Sequence, residues 1–413
     1  MVLLLLACAS APVCESPYTT GQVDVGESGG ISFRRTVLSA DLCGPAYAVA
    51  RDDGWVVASF GSQTGLSIPS GAIAGFAPEG EGWKGEEILP TSAGVKWPNE
   101  PAVVDVDGDG DQDLLVGTGF LTCQLSPWTA DCGGLIWLEA GADWKLHEVV
   151  PPGASLFYHR GLMEDLNGDG RKDIVAVGES LATPFGSENA AVLQAFLREG
   201  EEFSPEPQIL GQGGGSLPEL WDVDADGDQD LISAEYFTGG SFVWFRRDGD
   251  TWTRFVVDDS RGPSIQAAIV PNLYGDGLPM LVGSNHVNPL EGDPWKPQIL
   301  AYAIPSDPTG PWEATVLAED FHSEPGQGVA APGVFSAGDL DNDGDTDLLV
   351  AGDGDVKLYW LAQLSPGQFE QRGLEEALST AGGSAIQPRE GAPTRFVVPG
   401  YDDNVVFLYE QAP

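Results

Sequence analysis

The apolar residues of this chain fall into short runs of three to six, rich in β-branched and aromatic side chains and bounded by Gly, Pro, Asp and Ser. Helical spacing is nearly absent. Gln371 to Leu378 is the one fair helical candidate, and it sits where a strand is due. The runs group in fours. One set reads Pro101-Ala-Val-Val, Leu114-Leu-Val-Gly, Gly134-Leu-Ile-Trp-Leu and Trp144-Lys-Leu-His-Glu-Val-Val150. Its third member recurs from Ala191, Ser241, Ile299, Val356 and Val405, and its fourth from Trp252 and Trp312. The pattern predicts an all-β chain built from repeated four-stranded units.

Between the first and second runs lies an acidic nonapeptide, and its copies set the phase of the repeat. Four copies are complete: Asp105-Val-Asp107-Gly-Asp109-Gly110-Asp111-Gln-Asp113, Asp165-Leu-Asn167-Gly-Asp169-Gly170-Arg171-Lys-Asp173, Asp222-Val-Asp224-Ala-Asp226-Gly227-Asp228-Gln-Asp230 and Asp339-Leu-Asp341-Asn-Asp343-Gly344-Asp345-Thr-Asp347. A degenerate fifth runs from Asn272 to Met280. The starts at 105, 165, 222, 272 and 339 are 50 to 67 residues apart, the scale of one supersecondary unit that must stack on others to close a core. One period before 105 lies Ala46 to Gly54, followed by Trp55-Val-Val-Ala. One period after 339 lies Ile386 to Gly391, followed by Thr394-Arg-Phe-Val-Val. Seven units of four strands predict a seven-bladed β-propeller. Ile31 to Leu38 reads as a fourth strand with no unit before it, and the last unit stops after three. The N-terminal strand is therefore expected to complete the last blade and cover its open edge.

Carboxylates at this density repel one another, and a hard cation with 6–8 oxygen ligands and flexible geometry relieves the repulsion. Ca²⁺ fits, at about four sites. Mg²⁺ fits less well, because it holds its waters. An EF-hand needs a Glu at loop position 12, and these loops have Val116, Ala176, Ser233 and Val350 there, with strands instead of helices on either side.

The four nonapeptides, each followed by Leu-Leu-Val-Gly or a variant, make residues 31–413 resemble the FG-GAP/VCBS repeat family of integrin-α-like propellers. The resemblance implies that the acidic loops bind Ca²⁺ on one rim and that partners bind the opposite face. It implies side-chain ligands at Asp105, Asp107, Asp109 and Asp113, at Asp165, Asn167, Asp169 and Asp173, at Asp222, Asp224, Asp226 and Asp230, and at Asp339, Asp341, Asp343 and Asp347. Asp111, Arg171, Asp228 and Asp345 would give their carbonyls. The fifth copy has Asn272 and Met280 where the first and last Asp belong, so weak or no metal binding is expected there.

Charge narrows the partners. The chain of 413 residues carries 63 acidic side chains against 19 Lys and Arg, a formal net charge of −44. Four Ca²⁺ would leave roughly −36, which disfavours nucleic acid and anionic membrane. With a dissociation constant of ~10⁻⁴ M and millimolar Ca²⁺, each site would contribute about 1.4 kcal/mol. At cytosolic Ca²⁺ the sites would be empty, so an exported chain is expected. Val2 to Ala7 reads as a signal h-region, and Leu5-Leu-Ala-Cys8 resembles a bacterial lipobox, with Cys8 the lipidated residue. The missing basic n-region suggests a start further upstream. Residues 1–8 are thus read as signal, 9–28 as a flexible tether and 29–413 as the propeller, on an outer-membrane or cell-surface lipoprotein or a secreted chain. Lipid would be the only membrane contact. Of the remaining cysteines, Cys123 and Cys132 share one insertion and are expected to pair, which leaves Cys14–Cys43 to pin the tether.

A scaffold does not fix function. The reading adopted is a non-catalytic binding or adhesion module for protein or glycan. Its interaction face would use loops 117–134, 179–190, 284–298 and 318–332 and the aromatics Trp97, Trp128, Tyr158 and Trp295. The alternatives are a glycan-active lyase or hydrolase, using His159 and Arg160 with Glu100, Glu219 and Arg389, or a structural component of an envelope complex. His147 reads as structural; His286 and His322 are given no role.

Overall fold

The computed structural model describes residues 14–412, apart from 62–67, 121–132, 183–188, 324, 326–329, 376–377, 379–381 and 390–391. It is a seven-bladed β-propeller of antiparallel four-stranded sheets. Blades 1 to 6 span residues 45–89, 102–150, 157–212, 219–258, 264–318 and 335–375. Blade 7 takes Ala385–Gln387, Arg395–Gly400 and Val405–Gln411, and its fourth strand is Ile31–Ser39 from the other end of the chain. That strand pairs Phe33 with Gln411 and Val37 with Phe407, so the ring closes as the strand count predicts. Of the helical candidate, residues 371–375 lie in strand Gln368–Glu375, the fourth of blade 6, as its position suggested.

Strand alternation explains why the second strand of each blade is mostly apolar. Leu114 and Val116 point into the wedge shared with blade 1, while Leu115 points into the wedge shared with blade 3. Leu348 and Val350 face blade 5; Leu349 and Ala351 face blade 7. Successive side chains go to opposite faces, and both faces are covered, so apolar side chains fill most positions, with buried polar exceptions such as Ser233 and Ser284. Among the described residues the core is seven such wedges, one per blade junction. A buried aliphatic side chain contributes about 1.5–3 kcal/mol, so each junction is held by several such contributions.

The N-terminal segment corrects one expectation. Residues 14–28, read as tether, are built onto blade 7. Val23–Ser28 forms a fifth strand paired with Ile31–Ser39. Arg35 donates to both oxygens of Asp24, at 2.9 and 2.7 Å. Tyr18 packs edge-on against Phe407, with ring centroids 4.9 Å apart. A Cys14–Cys43 disulfide fastens the start of the segment. Residues 9–13, Cys8 and the expected Cys123–Cys132 pair lie outside the described residues. Among those described, no helix is long and apolar enough to cross a membrane.

Candidate metal centre

Every acidic loop joins the first and second strands of its blade, so all five lie on one face. Their shape comes from carboxylates that accept backbone N–H groups. Asp105 Oδ1 accepts from Gly108 at 2.7 Å and its Oδ2 from Gly110 at 3.1 Å. Asp109 Oδ1 accepts from the Asp111 N–H at 2.9 Å. Asp165, Asp222 and Asp339 each hold the Gly at loop position six in the same way, at 2.9, 3.1 and 3.0 Å. Positions four and six lie in the left-handed region: Gly108 and Gly110 have φ of 88° and 98°. Ala225 and Asn342 occupy position four at φ 58° and 62°, which costs an Ala on the order of 1 kcal/mol.

The last Asp has a structural task besides any metal. Asp113, Asp173, Asp230 and Asp347 are at most 1 % exposed. One oxygen of each accepts the loop N–H from Val106, Leu166, Val223 or Leu340, at 2.9 to 3.1 Å. The other accepts from a residue at or just past the end of the third strand: Ala140, Arg198, Arg247 or Gln363, at 2.7 to 2.8 Å. Burial, countered by these backbone donors, raises the Asp230 pKa to about 6 and that of Asp347 to about 7, with the neighbouring carboxylates adding to the rise. Burial raises Asp113 and Asp341 as well. A carboxyl held up in this way is relieved by a cation at the site.

Three loops gather their carboxylates as an oxygen-ligated ion requires. Asp105, Asp107 and Asp113 bring one oxygen each within 4.8 Å of one another, as do Asp222, Asp224 and Asp230, and Asp339, Asp341 and Asp347. This donor set fits Ca²⁺. Asp109, Asp226 and Asp343 stand outside the three triads. The loop at 165–173 gathers no such triad. Asn167 replaces one carboxylate, and Asp169 turns to an ion pair with Arg171 at 2.9 Å.

Sequence reasoning missed the residues that bind one blade to the loop of the blade before it. Arg198 donates its amide to Asp173 of its own blade, and its guanidinium to the carbonyls of Val106 and Asp107 in blade 2. Arg247 reaches the Asp165 and Leu166 carbonyls of blade 3 at 3.5 and 3.1 Å. Gln363 reaches Leu273 of blade 5 at 2.7 Å, and Gln411 reaches Asp341 of blade 6 at 3.3 Å. At the same place Ala140 follows blade 1, whose turn carries only Asp52 and Asp53 and needs no such arm.

On the opposite face, ring contacts run across blades. Phe60 stacks on Trp97 at 5.5 Å, and Trp97 meets Phe120 at 6.5 Å. Phe120 meets Phe237 at 6.3 Å, and the row continues through Tyr236 to His286. Phe60, Phe120, Tyr236 and Phe237 are half-buried. Of the aromatics expected on loops, Trp97 and Tyr158 are instead buried, Tyr158 donating to Gln194 at 2.9 Å; Trp295 is exposed, and Trp128 lies outside the described residues. The constellation considered for catalysis separates in part: Arg160 pairs with Glu100 at 2.5 Å and lies within electrostatic reach of Glu219, whereas Arg389 pairs with Glu410. His159 is buried 3.3 Å from Glu179, and burial lowers its pKa to about 3. His147 stacks on Trp137 at 4.1 Å, the structural place expected of it.

Residues 97–124 match the family model of the FG-GAP repeat, and residues 339–388 that of the FG-GAP-like repeat. Over 187 residues the chain is 29% identical to integrin alpha-IIb of Mus musculus. That stretch is 41% of this chain, and the chain spans only 18% of the length of that relative. Among solved structures, a lectin of Agrocybe aegerita that recognises non-reducing terminal N-acetylglucosamine aligns with a TM-score of 0.50 at 15% identity, covering 83% of each chain. A polysaccharide lyase, an ulvan lyase, aligns at 0.45 and 11%, covering 89% of this chain and 93% of its own. Likenesses of this size concern the fold alone. Together, the family matches and the blade architecture show a seven-bladed β-propeller that carries FG-GAP repeats at 97–124 and 339–388.

Proposed function

We propose that this chain is an exported, calcium-binding propeller that acts as a non-catalytic binding module for protein or glycan. The observation that carries the reading is the triad of buried and half-buried carboxylates repeated in blades 2, 4 and 6. Asp105, Asp107 and Asp113 and their counterparts would hold Ca²⁺, with the Asp111, Asp228 and Asp345 carbonyls as further donors. Bound Ca²⁺ would offset the carboxylate repulsion and stiffen one rim. The other face, with its row of half-buried aromatics from Phe60 to Tyr236, is then free to meet a partner. Aromatic faces of this kind suit sugars and protein side chains alike. The disulfide at Cys14–Cys43 supports an oxidising compartment, and Cys8 would supply a lipid anchor.

The test is retention of the soluble chain, made without Cys8, on a panel of polysaccharides and matrix or envelope proteins, in millimolar Ca²⁺ and in EDTA. Calcium-dependent retention on one ligand class is expected. Failure of the folded, calcium-loaded protein to bind anything on the panel would overturn the binding-module reading in favour of a subunit of an envelope complex.

A further inference from the structure

The four complete loops differ in one respect that their motif conceals: two already hold a cation of the chain's own. In blade 4, Arg246 sets its Nε 2.8 Å from Asp224 Oδ2 and a terminal nitrogen 3.7 Å from Asp226 Oδ2. Asp224 is one of the three residues whose oxygens converge in that loop. Its other oxygen, Oδ1, is buried and has no hydrogen-bond partner among the described residues. In blade 3, Arg171 pairs with Asp169 Oδ2 at 2.9 Å and donates to the Gly200 carbonyl at 3.1 Å, beside the uncharged Asn167. Among the described residues, no Lys or Arg side chain is paired with a carboxylate of the loops at 105–113 or 339–347.

We infer that the loops fill in two steps, with Arg246 and Arg171 acting as resident counter-cations. This rests on the calcium reading above. Loops 105–113 and 339–347 each offer four ligating carboxylates, none of them paired with a Lys or Arg side chain among the described residues, so they load first; Arg198 meets the blade 2 loop only through the Val106 and Asp107 carbonyls. In the blade 4 loop an incoming Ca²⁺ must displace Arg246 from Asp224, or share that carboxylate with a positive neighbour. Either lowers its affinity. The blade 3 loop has one carboxylate fewer, and Arg171 holds another, so it loads last. Arg246 is attached to the third strand of blade 4 and is more than a third exposed, so it can leave the loop without disturbing the core. The arrangement gives the propeller two permanent calcium sites and two that respond to a change in external Ca²⁺.

The experiment is calorimetric titration of the metal-free full chain with Ca²⁺ at constant ionic strength. Two equivalents in a tight class and two in a weaker class are expected. R246Q should move one weak equivalent roughly tenfold tighter. R171Q should move the other by less, because Asn167 remains. R246K, which keeps the charge, should leave the weak class in place. Four equivalents in a single class, or a weak class unmoved by R246Q in protein with an unchanged circular dichroism spectrum, would overturn the inference while leaving calcium binding intact. No uptake by the wild-type chain would overturn both readings. Arginine side-chain NMR gives a check that needs no variant. The Arg246 Nε–H resonance should shift only over the concentrations that fill the weak class, and a shift tracking the first two equivalents would contradict the order.

Discussion

The loops of blade 2 and blade 5 have one shape and two chemistries. In blade 5, Asn272 Oδ1 accepts from Gly277 at 2.6 Å and Asp276 from Leu278 at 3.0 Å, the bonds that Asp105 and Asp109 make in blade 2. Gly275 and Gly277 keep positive φ, at 73° and 78°. Yet Tyr274 and Met280 stand where Asp107 and Asp113 stand, and Met280 is buried in the wedge between blades 5 and 6. Backbone hydrogen bonds and glycine are therefore enough to make the turn. Of the additional carboxylates of blade 2, Asp107 accepts from the Asp109 N–H and Asp113 anchors the base of the loop through Val106 and Ala140, but gathered together they add repulsion. Their presence calls for a cation, and their absence in blade 5 shows what the fold keeps when that task is dropped.

Chelation should separate the two loops most sharply. At millimolar Ca²⁺ a site with a dissociation constant near 10⁻⁴ M contributes about 1.4 kcal/mol, so the three triads together contribute roughly 4 kcal/mol and EDTA should lower the melting temperature by several degrees. Hydrogen exchange should then rise at 105–113 and 339–347 and stay level at 272–280. Equal acceleration in all three would break the comparison.

Removing the buried anchor tests the structural half. Asp113→Ala strands the N–H groups of Val106 and Ala140, which Asp113 satisfies at 2.9 and 2.8 Å. A loss of about 2–4 kcal/mol is expected from denaturant titration, and it should persist in EDTA. A loss confined to calcium-loaded protein would make Asp113 a ligand and nothing more. The converse change, N272D with Y274D and M280D, should add one calcium equivalent and cost about 2 kcal/mol without calcium, since it buries a carboxylate in an apolar wedge. Calorimetry reads the first effect and melting in EDTA the second.

How much of this was legible beforehand follows from where the information sits. The blades were legible because runs such as Leu348-Leu-Val-Ala are buried on both faces and phased by an adjoining nonapeptide; both signals are local. Ring closure was legible from a surplus strand at one end and a missing one at the other. Val23–Ser28 was not, because it is short, polar and mostly exposed. It is held by distant partners: Arg35 and Tyr18 with Phe407, and a disulfide. The inter-blade arms were hidden by spacing. Arg198, Arg247 and Gln363 lie 25, 17 and 16 residues after the Asp they serve, because third-strand connections vary in length. A polar residue directly after the third apolar run, in units that follow an acidic loop, is the signal that could have found them. Trp97 and Tyr158 were placed on the surface because their segments read as loops, but neighbouring blades cover both.

Those arms give the finest form of the comparison. Arg198 grips the blade 2 loop through the Val106 and Asp107 carbonyls, and Gln363 grips the blade 5 loop through Leu273. Both are buried, so truncation leaves carbonyls unsatisfied in each case; a loss of about 1–2 kcal/mol is expected for Arg198→Ala and about 1 for Gln363→Ala. The two arms differ in charge. Arg198 places a cation against a loop that would receive another, whereas the uncharged Gln363 serves the blade 5 loop, which should receive none, and donates to the Thr346 carbonyl of its own blade's loop at 3.0 Å. Arg198→Ala should therefore weaken the fold in EDTA yet tighten the blade 2 site by roughly two- to threefold in a calcium titration. Gln363→Ala removes no charge, so it should weaken the fold without tightening any calcium site. If both variants lose stability and neither alters uptake, the arms are blade fasteners alone, and the charge at Arg198 acts only through its hydrogen bonds. If Arg198→Ala loosens calcium instead, positioning of the Asp107 carbonyl outweighs repulsion, and the arm belongs to the site as much as to the junction.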